Sequence, residues 1–123
     1  MHRKKILVVD DSSTALLMER MMLSHGEYEL VTARDGLEAV EKALSEKPDL
    51  VLMDVVMPRM NGLDACRKLR ELEDTKRIPI IMVTTRGELA TIESGYESGC
   101  NEYITKPIHG LELLAKVRAC LGQ

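Results

Sequence analysis

Tryptophan and phenylalanine are absent, and three tyrosines supply every aromatic ring in the 123 residues. A flavin held among aromatic side chains is therefore a poor fit. No stretch approaches the ~20 consecutive apolar residues that a membrane span needs, so no membrane insertion is expected. The basic start Met1-His2-Arg3-Lys4-Lys5 leads only into Ile6 to Val9 before two aspartates, too short for a signal peptide. Cysteine is scarce and odd in number: Cys66, Cys100 and Cys120 have no metal-ligand spacing. Reduced thiols in a cytoplasm are the simplest account. His2, His25 and His109 fall outside the strand ends discussed below, and no nucleophilic triad is legible. A net charge of -3 argues against broad affinity for nucleic acid, and no direct nucleic-acid contact is expected. The cations Arg67, Lys68 and Arg70 are interleaved with Glu71, Glu73 and Asp74, as on a solvated helix face.

What is present is ordinary in proportion and regular in order. Hydrophobic residues make up 45% and charged residues 30%, as in soluble globular proteins. One domain over 1–123 is expected, with a single core and no linker, repeat or low-complexity tract. Strand-like and helix-like segments alternate. Strands are expected at Ile6–Val9, more weakly at Glu29–Ala33, at Leu50–Met53, at Ile80–Val83 and around Tyr103–Thr105. Helices are expected at Thr14–Ser24, Gly36–Ser45, Leu63–Leu72, Leu89–Ser98 and Leu111–Leu121. In the second helix Leu37, Val40 and Leu44 recur at i, i+3, i+7, as do Leu114, Val117 and Leu121 in the last. Gly99 follows the fourth helix as a plausible C-terminal cap. The runs at 6–9, 50–53 and 80–83 are continuously apolar, which marks strands buried on both faces of a parallel sheet. The expected fold is an α/β/α sandwich of three layers with right-handed crossovers.

Chemistry gathers where those strands end. Asp10-Asp11 follows the first strand, Asp54 the third, Thr84 the fourth and Lys106-Pro107 the fifth. Ligands of open parallel sheets bind outside the carboxyl ends of the strands. Three carboxylates, a hydroxyl and an ammonium would therefore converge. Carboxylates brought together repel unless a hard cation sits among them. Oxygen ligands supplemented by water suit Mg²⁺. The set reads as a divalent-metal and phosphoryl site with a carboxylate available as nucleophile.

These motifs resemble the receiver domain of bacterial response regulators: Ile6-Leu7-Val8-Val9-Asp10-Asp11-Ser12, the block Leu52 to Pro58 with Asn61-Gly62, Thr84-Thr85, and Tyr103-Ile104-Thr105-Lys106-Pro107. The resemblance covers essentially the full chain. It implies a flavodoxin-like fold with five parallel strands in the order 2-1-3-4-5. It implies Mg²⁺ held by Asp11, Asp54 and the backbone carbonyl of Val56, with Asp10 acting through water. Asp54 would be the phosphoacceptor, charged by a sensor histidine kinase or a phosphotransfer protein. Lys106 would pair with Asp54 at rest and with a phosphoryl oxygen afterwards, next to a cis peptide at Pro107. Thr84 would donate its hydroxyl to the phosphoryl group, and Tyr103 would be the switch aromatic. Pro58 and Gly62 would shape the loop beside Asp54. The output face would be the fourth helix, fifth strand and fifth helix, presented to a downstream protein. Gly122-Gln123 closes the sequence, so a stand-alone regulator of the chemotaxis or motility type is expected, a switch and not a turnover enzyme.

Two features depart from common patterns in that family. Val56 is apolar and Arg86 cationic where polar or acidic groups often place a hydrolytic water, and Thr85 is bulkier than the usual small residue. Slow self-dephosphorylation is the expectation. Gly95 lies inside the fourth helix, where Gly costs up to ~1 kcal/mol relative to Ala, so mobility is expected there. Other classes fit less well. A haloacid-dehalogenase-type enzyme needs an acid where Val56 stands. A flavin carrier would not set Asp10-Asp11 against a phosphate. A receiver-like module working without phosphorylation is the remaining alternative.

Overall fold

The continuous apolar runs are explained by what lies above and below them. In the computed structural model, which describes residues 3–85 and 89–123 without the side chains of Leu89 and Ala90, alternate strand residues face two separate cores. Leu7, Val9, Val51, Met53, Ile80 and Met82 face one core, and Ile6, Val8, Leu50, Leu52, Ile81 and Val83 the other. All twelve are at most 1% exposed. No polar face exists along these strands, so no alternation appears in the sequence.

The strands are β1 (Lys4–Val9), β2 (Tyr28–Ala33), β3 (Leu50–Asp54), β4 (Ile80–Thr84) and β5 (Glu102–Thr105). They form one sheet in the order β2-β1-β3-β4-β5. Every neighbouring pair is parallel, with Val9 beside Met53, Asp54 beside Val83 and Thr84 beside Thr105. The helices are α1 (Ser13–Leu23), α2 (Gly36–Glu46), α3 (Gly62–Glu71), α4 (Leu89–Ser98) and α5 (Gly110–Leu121). Helices α1 and α5 cover one core through Leu16, Leu23, Leu113, Leu114 and Val117. Helices α2 and α3 contribute Ala39, Ala43, Ala65, Cys66 and Leu69 to the other.

Side-chain caps set several helix starts. Ser12 Oγ accepts from Ala15 N–H at 3.2 Å, Asp35 Oδ1 from Glu38 N–H at 2.9 Å, and Asn61 Oδ1 from Asp64 N–H at 2.9 Å. The cap of α1 is thus Ser12 and neither aspartate, which leaves the acidic pair for other work. Gly99, at φ +107°, closes α4 as expected.

The helix faces differ in one instructive respect. The buried residues of α2 are Gly36, Ala39 and Ala43, while Leu37 and Leu44 are each 40% exposed. Small residues let α2 lie close to the sheet, and the leucines flank that contact. In α5 the buried set is Leu113, Leu114 and Val117, with Leu121 only half-buried.

Candidate functional site

Four strands, β1, β3, β4 and β5, end on one edge and carry the predicted residues there. Asp10 follows β1 and is buried, whereas Asp11 is exposed. Asp54 and Thr84 are the last residues of β3 and β4, and both are buried. Lys106 follows β5, and its peptide bond to Pro107 is cis. Ligand oxygens of Asp10, Asp11 and Asp54 all lie within 4.8 Å of one another. Three carboxylates at that spacing form a hard, all-oxygen donor set, the chemistry that suits Mg²⁺.

Lys106 closes the site from the β5 side. Its Nζ donates to Asp10 Oδ2 at 2.8 Å and to Asp54 Oδ2 at 3.4 Å. Asp54 is the expected partner, yet Asp10 is the nearer one. Asp10 Oδ1 also accepts the Ser12 N–H at 3.0 Å, so both its oxygens are engaged. Burial pulls the Lys106 ammonium towards its neutral form, but the hydrogen bond to Asp10 and the charges of Asp54 and Asp10 outweigh it and raise its pKa. Burial pushes the Asp54 carboxyl up from the usual range, against the pull of Lys106. Main-chain bonds tie the strand ends together: Val55 N–H donates to Val83 O at 2.9 Å and Lys106 N–H to Thr84 O at 2.7 Å.

The loop after Asp54 is held at several points. Gly62 N–H donates to Val55 O at 2.8 Å, and Gly36 N–H to Met60 O at 2.9 Å. A side chain at Gly62 would run into the Asp54 carbonyl oxygen, so the loop needs glycine there. Pro58 lies within this loop, and Met60 N–H donates to its carbonyl at 2.8 Å. Arg59 adopts φ 65°, uncommon for a residue with a side chain. Its Nε donates to Asp35 Oδ2 at 2.7 Å. The Glu38 N–H foremost, and then Arg59, hold the Asp35 carboxyl below its ordinary range despite burial. Val56 is 72% exposed in the same loop. Thr85 is exposed too, and Arg86 lies outside the described residues.

Tyr103 sits in β5, half-buried, among surface partners. Its ring meets that of Tyr96 on α4 edge-on, with centroids 5.9 Å apart, and Lys116 Nζ lies 5.5 Å from its centroid. Lys116 also pairs with Glu102 at 3.0 Å, and Tyr96 Oη donates to Glu102 at 3.3 Å.

The sequence reading missed Glu19. It is buried beneath the site on α1, and its carboxyl is pushed up to about 8, first by burial and then by the charge of Asp10. The signal was available: Leu16, Glu19 and Leu23 share one helical stripe, and the middle member is an acid. The Arg59–Asp35 pair was also missed, since nothing local couples those positions. The three cysteines are free, and burial raises the thiol pKa of Cys66 and, to about 11, of Cys100.

The carboxyl edge of this parallel α/β sandwich thus carries acids at the ends of its first and third strands and a lysine after its fifth. The chain belongs to the response regulator receiver domain family, whose profile matches residues 6–118. Its relatives include the alkaline phosphatase synthesis transcriptional regulatory protein PhoP of Bacillus subtilis, 40% identical over 96% of this chain and 48% of the relative. The transcriptional regulatory protein ResD of the same species is 41% identical over 95% of this chain and 48% of its own length. The chain spans about half the length of these relatives. Among solved structures, a putative response regulator from Chloroflexus aurantiacus superposes with a TM-score of 0.95 at 32% identity, covering 99% of this chain and all of that one. The receiver domain of sensor histidine kinase PA1611 from Pseudomonas aeruginosa, solved with a magnesium ion in its active-site cleft, gives 0.92 at 30% identity, covering 99% of this chain and 100% of that one. Chemotaxis protein CheY4 of Vibrio cholerae gives 0.91 at 32% identity, covering 98% and 100%. Likeness thus extends to transcriptional and chemotaxis proteins alike, and does not favour the chemotaxis expectation. No helix among the described residues is long and apolar enough to cross a membrane.

Proposed function

We propose that this receiver is a phosphoacceptor switch in which Asp54 takes a phosphoryl group from the phosphohistidine of a sensor kinase or phosphotransfer protein. The observation that carries this reading is the meeting of Asp10, Asp11 and Asp54 oxygens within 4.8 Å, with Lys106 across them. An Asp54 carboxylate oxygen forms the new bond to phosphorus while the P–N bond of the donor breaks and its electron pair stays on the imidazole nitrogen. Asp11, Asp54 and the Val56 carbonyl would hold Mg²⁺, with Asp10 acting through water. When bound, the cation neutralises charge on the transferred oxygens. Lys106 then moves its ammonium from carboxylate to phosphoryl oxygen, and Thr84 donates its hydroxyl.

Moving a two-state population from 1:99 to 99:1 needs ~5.5 kcal/mol of differential interaction. A new charge-assisted hydrogen bond from Thr84 supplies roughly 1.5–3 kcal/mol of it, and Lys106 adds only the difference between its carboxylate and phosphoryl bonds. The consequence is read at α4, β5 and α5, where Tyr103 turns inward and a downstream protein docks. This is a switch, working in a cytoplasm that keeps its buried thiols reduced. Val56 offers no side chain to hold a hydrolytic water, which supports a long-lived acyl phosphate.

Intact-mass measurement after incubation with acetyl phosphate tests the reading. The expected result is a gain of one phosphoryl group that requires Mg²⁺ and disappears in Asp54→Asn. No gain, also with phosphorylated kinases as donors, would leave a receiver fold that signals without phosphorylation.

A further inference from the structure

Glu19 has a position that the switch as described above does not use. It lies on the sheet-facing stripe of α1 between Leu16 and Leu23, 2% exposed. Its Oε2 has no hydrogen-bond partner among the described residues. A buried carboxyl without partners opposes folding, and a leucine would complete the stripe. The carboxyl borders a pocket of about 230 Å³ between α1 and the segment after β5, with Met18, Met22, Lys106, Pro107 and Ile108 around it. Lys106 is the only cation on that lining. Lys106 touches Asp10 and Asp54 at 2.8 and 3.4 Å and shares this pocket with Glu19. Glu19 is electrostatically coupled to Lys106, Asp10 and Asp54 together.

The arrangement answers a problem of crowding. With no cation, the ammonium neutralises Asp10 and Asp54. A divalent cation held by Asp54, with Asp10 reached through water, competes for those carboxylates, and its charge repels the ammonium. We propose that Glu19 is a positioning residue for Lys106, accepting the ammonium when a divalent cation engages Asp54 and, through water, Asp10, and releasing it when a phosphoryl oxygen arrives. The handover does not depend on ionisation of Glu19, since the carbonyl oxygen of a neutral carboxyl also accepts from an ammonium. The inference rests on the cation site proposed above and adds a waiting place for the lysine.

The test uses Mg²⁺ alone on the unphosphorylated chain, with binding followed by calorimetry and by the ¹³Cε resonance of Lys106. Glu19→Leu is expected to weaken Mg²⁺ binding by roughly 3- to 10-fold, the span of a modest pairwise coupling. Glu19→Gln keeps a carbonyl oxygen and should recover most of that loss. In a Lys106→Met background the same Glu19→Leu change should alter affinity by less than ~2-fold, because the partner it acts through is gone. Mg²⁺ should shift the Lys106 resonance in the parent chain along a path that Glu19→Leu abolishes. Should Glu19→Leu misfold, Glu19→Met removes the same acceptor with a more adaptable side chain.

Parental affinity in Glu19→Leu would overturn the proposal. So would a loss that persists undiminished in Lys106→Met, which would make Glu19 act through its own field. Asp11→Asn separates the two readings. If it binds Mg²⁺ as the parent does, the cation site falls and this role falls with it. If it loses Mg²⁺ while Glu19→Leu does not, only the role of Glu19 falls.

Discussion

The two flanks of Asp54 are built on different principles. On the α2–α3 side, the loop from Val55 to Asn61 is pinned by main-chain bonds to β4, α2 and α3, by a glycine against the Asp54 carbonyl, and by Arg59 on a buried Asp35. On the α4–β5–α5 side, the contacts around Tyr103 are a ring edge, a cation over a ring face and pairs made by Glu102 at the surface. Exposed pairs of that kind contribute little each, whereas buried polar groups with every partner in place define one geometry. One flank therefore keeps the ligand oxygens where they are, and the other can exchange one set of weak contacts for another. Lys106 belongs to the second flank by sequence, and its Nζ reaches Asp10 and Asp54 between the two.

The largest expected effect concerns the acid beneath that lysine. Glu19 holds its proton up to about pH 8 in the folded chain, against an ordinary value of 4.5, chiefly because it is buried. The folded state therefore binds this proton more tightly than the unfolded chain does. The resulting stabilisation is complete below about pH 4.5 and is lost progressively as pH rises through about 8. In Mg²⁺-free buffer, urea unfolding should show the parent chain losing a few kcal/mol, roughly, relative to Glu19→Gln between those pH values. The variant should thus be the more stable above pH 8. Parallel stability curves would place the Glu19 carboxyl in water and leave Lys106 to Asp10 and Asp54 alone.

Asp35→Ala attacks the pinned flank itself. It removes the cap of α2 and the partner of Arg59 in one change. A lost cap alone costs about 0.5–2 kcal/mol, and the loop after Asp54 loses an anchor as well. Urea unfolding should register ~2 kcal/mol, and Mg²⁺ affinity should fall with it. A stability loss with parental Mg²⁺ affinity would show that α2 needs the cap but the loop does not need the latch.

The positions of the site residues are legible in the sequence, whereas most of what holds them is not. The strand ends were legible because a strand covered on both faces leaves an unbroken apolar run, and the acids interrupt it abruptly at Asp10 and Asp54. The tight face of α2 was not: periodicity weighs Leu37 and Leu44 heavily, but close approach to a sheet selects Gly36, Ala39 and Ala43. Lys106 lies at the strand ends as its place after β5 implies, with Asp10 as its nearer partner. Contacts between distant loops, such as Arg59 with Asp35, leave no periodic trace. Glu19 does leave one, an acid on the apolar stripe of Leu16 and Leu23.

On the looser flank, Tyr96→Ala removes the ring that meets Tyr103 edge-on and the hydroxyl that donates to Glu102. Such a ring pair contributes about 0.5–1.5 kcal/mol beyond its buried area. The stability cost should stay near ~1 kcal/mol, and the Tyr103 ring should spend more time turned inward without phosphorylation. Ring NMR can follow this directly, because the chain has only three tyrosines and neither phenylalanine nor tryptophan. A Tyr103 environment identical to that of the parent would mean that Lys116 alone holds the ring outward.

The smallest effect belongs to Gly95, in the interior of α4. A Cβ there would sit 3.4 Å from Cys100 Sγ and 3.9 Å from Met82 Cγ, ordinary packing distances. The space therefore tolerates alanine, and helix propensity favours it by up to ~1 kcal/mol. Gly95→Ala should stabilise the resting chain by less than that, after a small adjustment at Cys100. Amide exchange should slow across Leu89–Ser98, where the parent is expected to exchange readily. If α4 takes part in switching, stiffening it should also shift the balance between resting and phosphorylated forms, read as a changed Tyr103 ring signal at equal phosphorylation. Strong, uniform protection of Leu89–Ser98 already in the parent would erase the contrast on this side of Asp54. Movement on phosphorylation would then have to be sought at β5 and Lys106 alone.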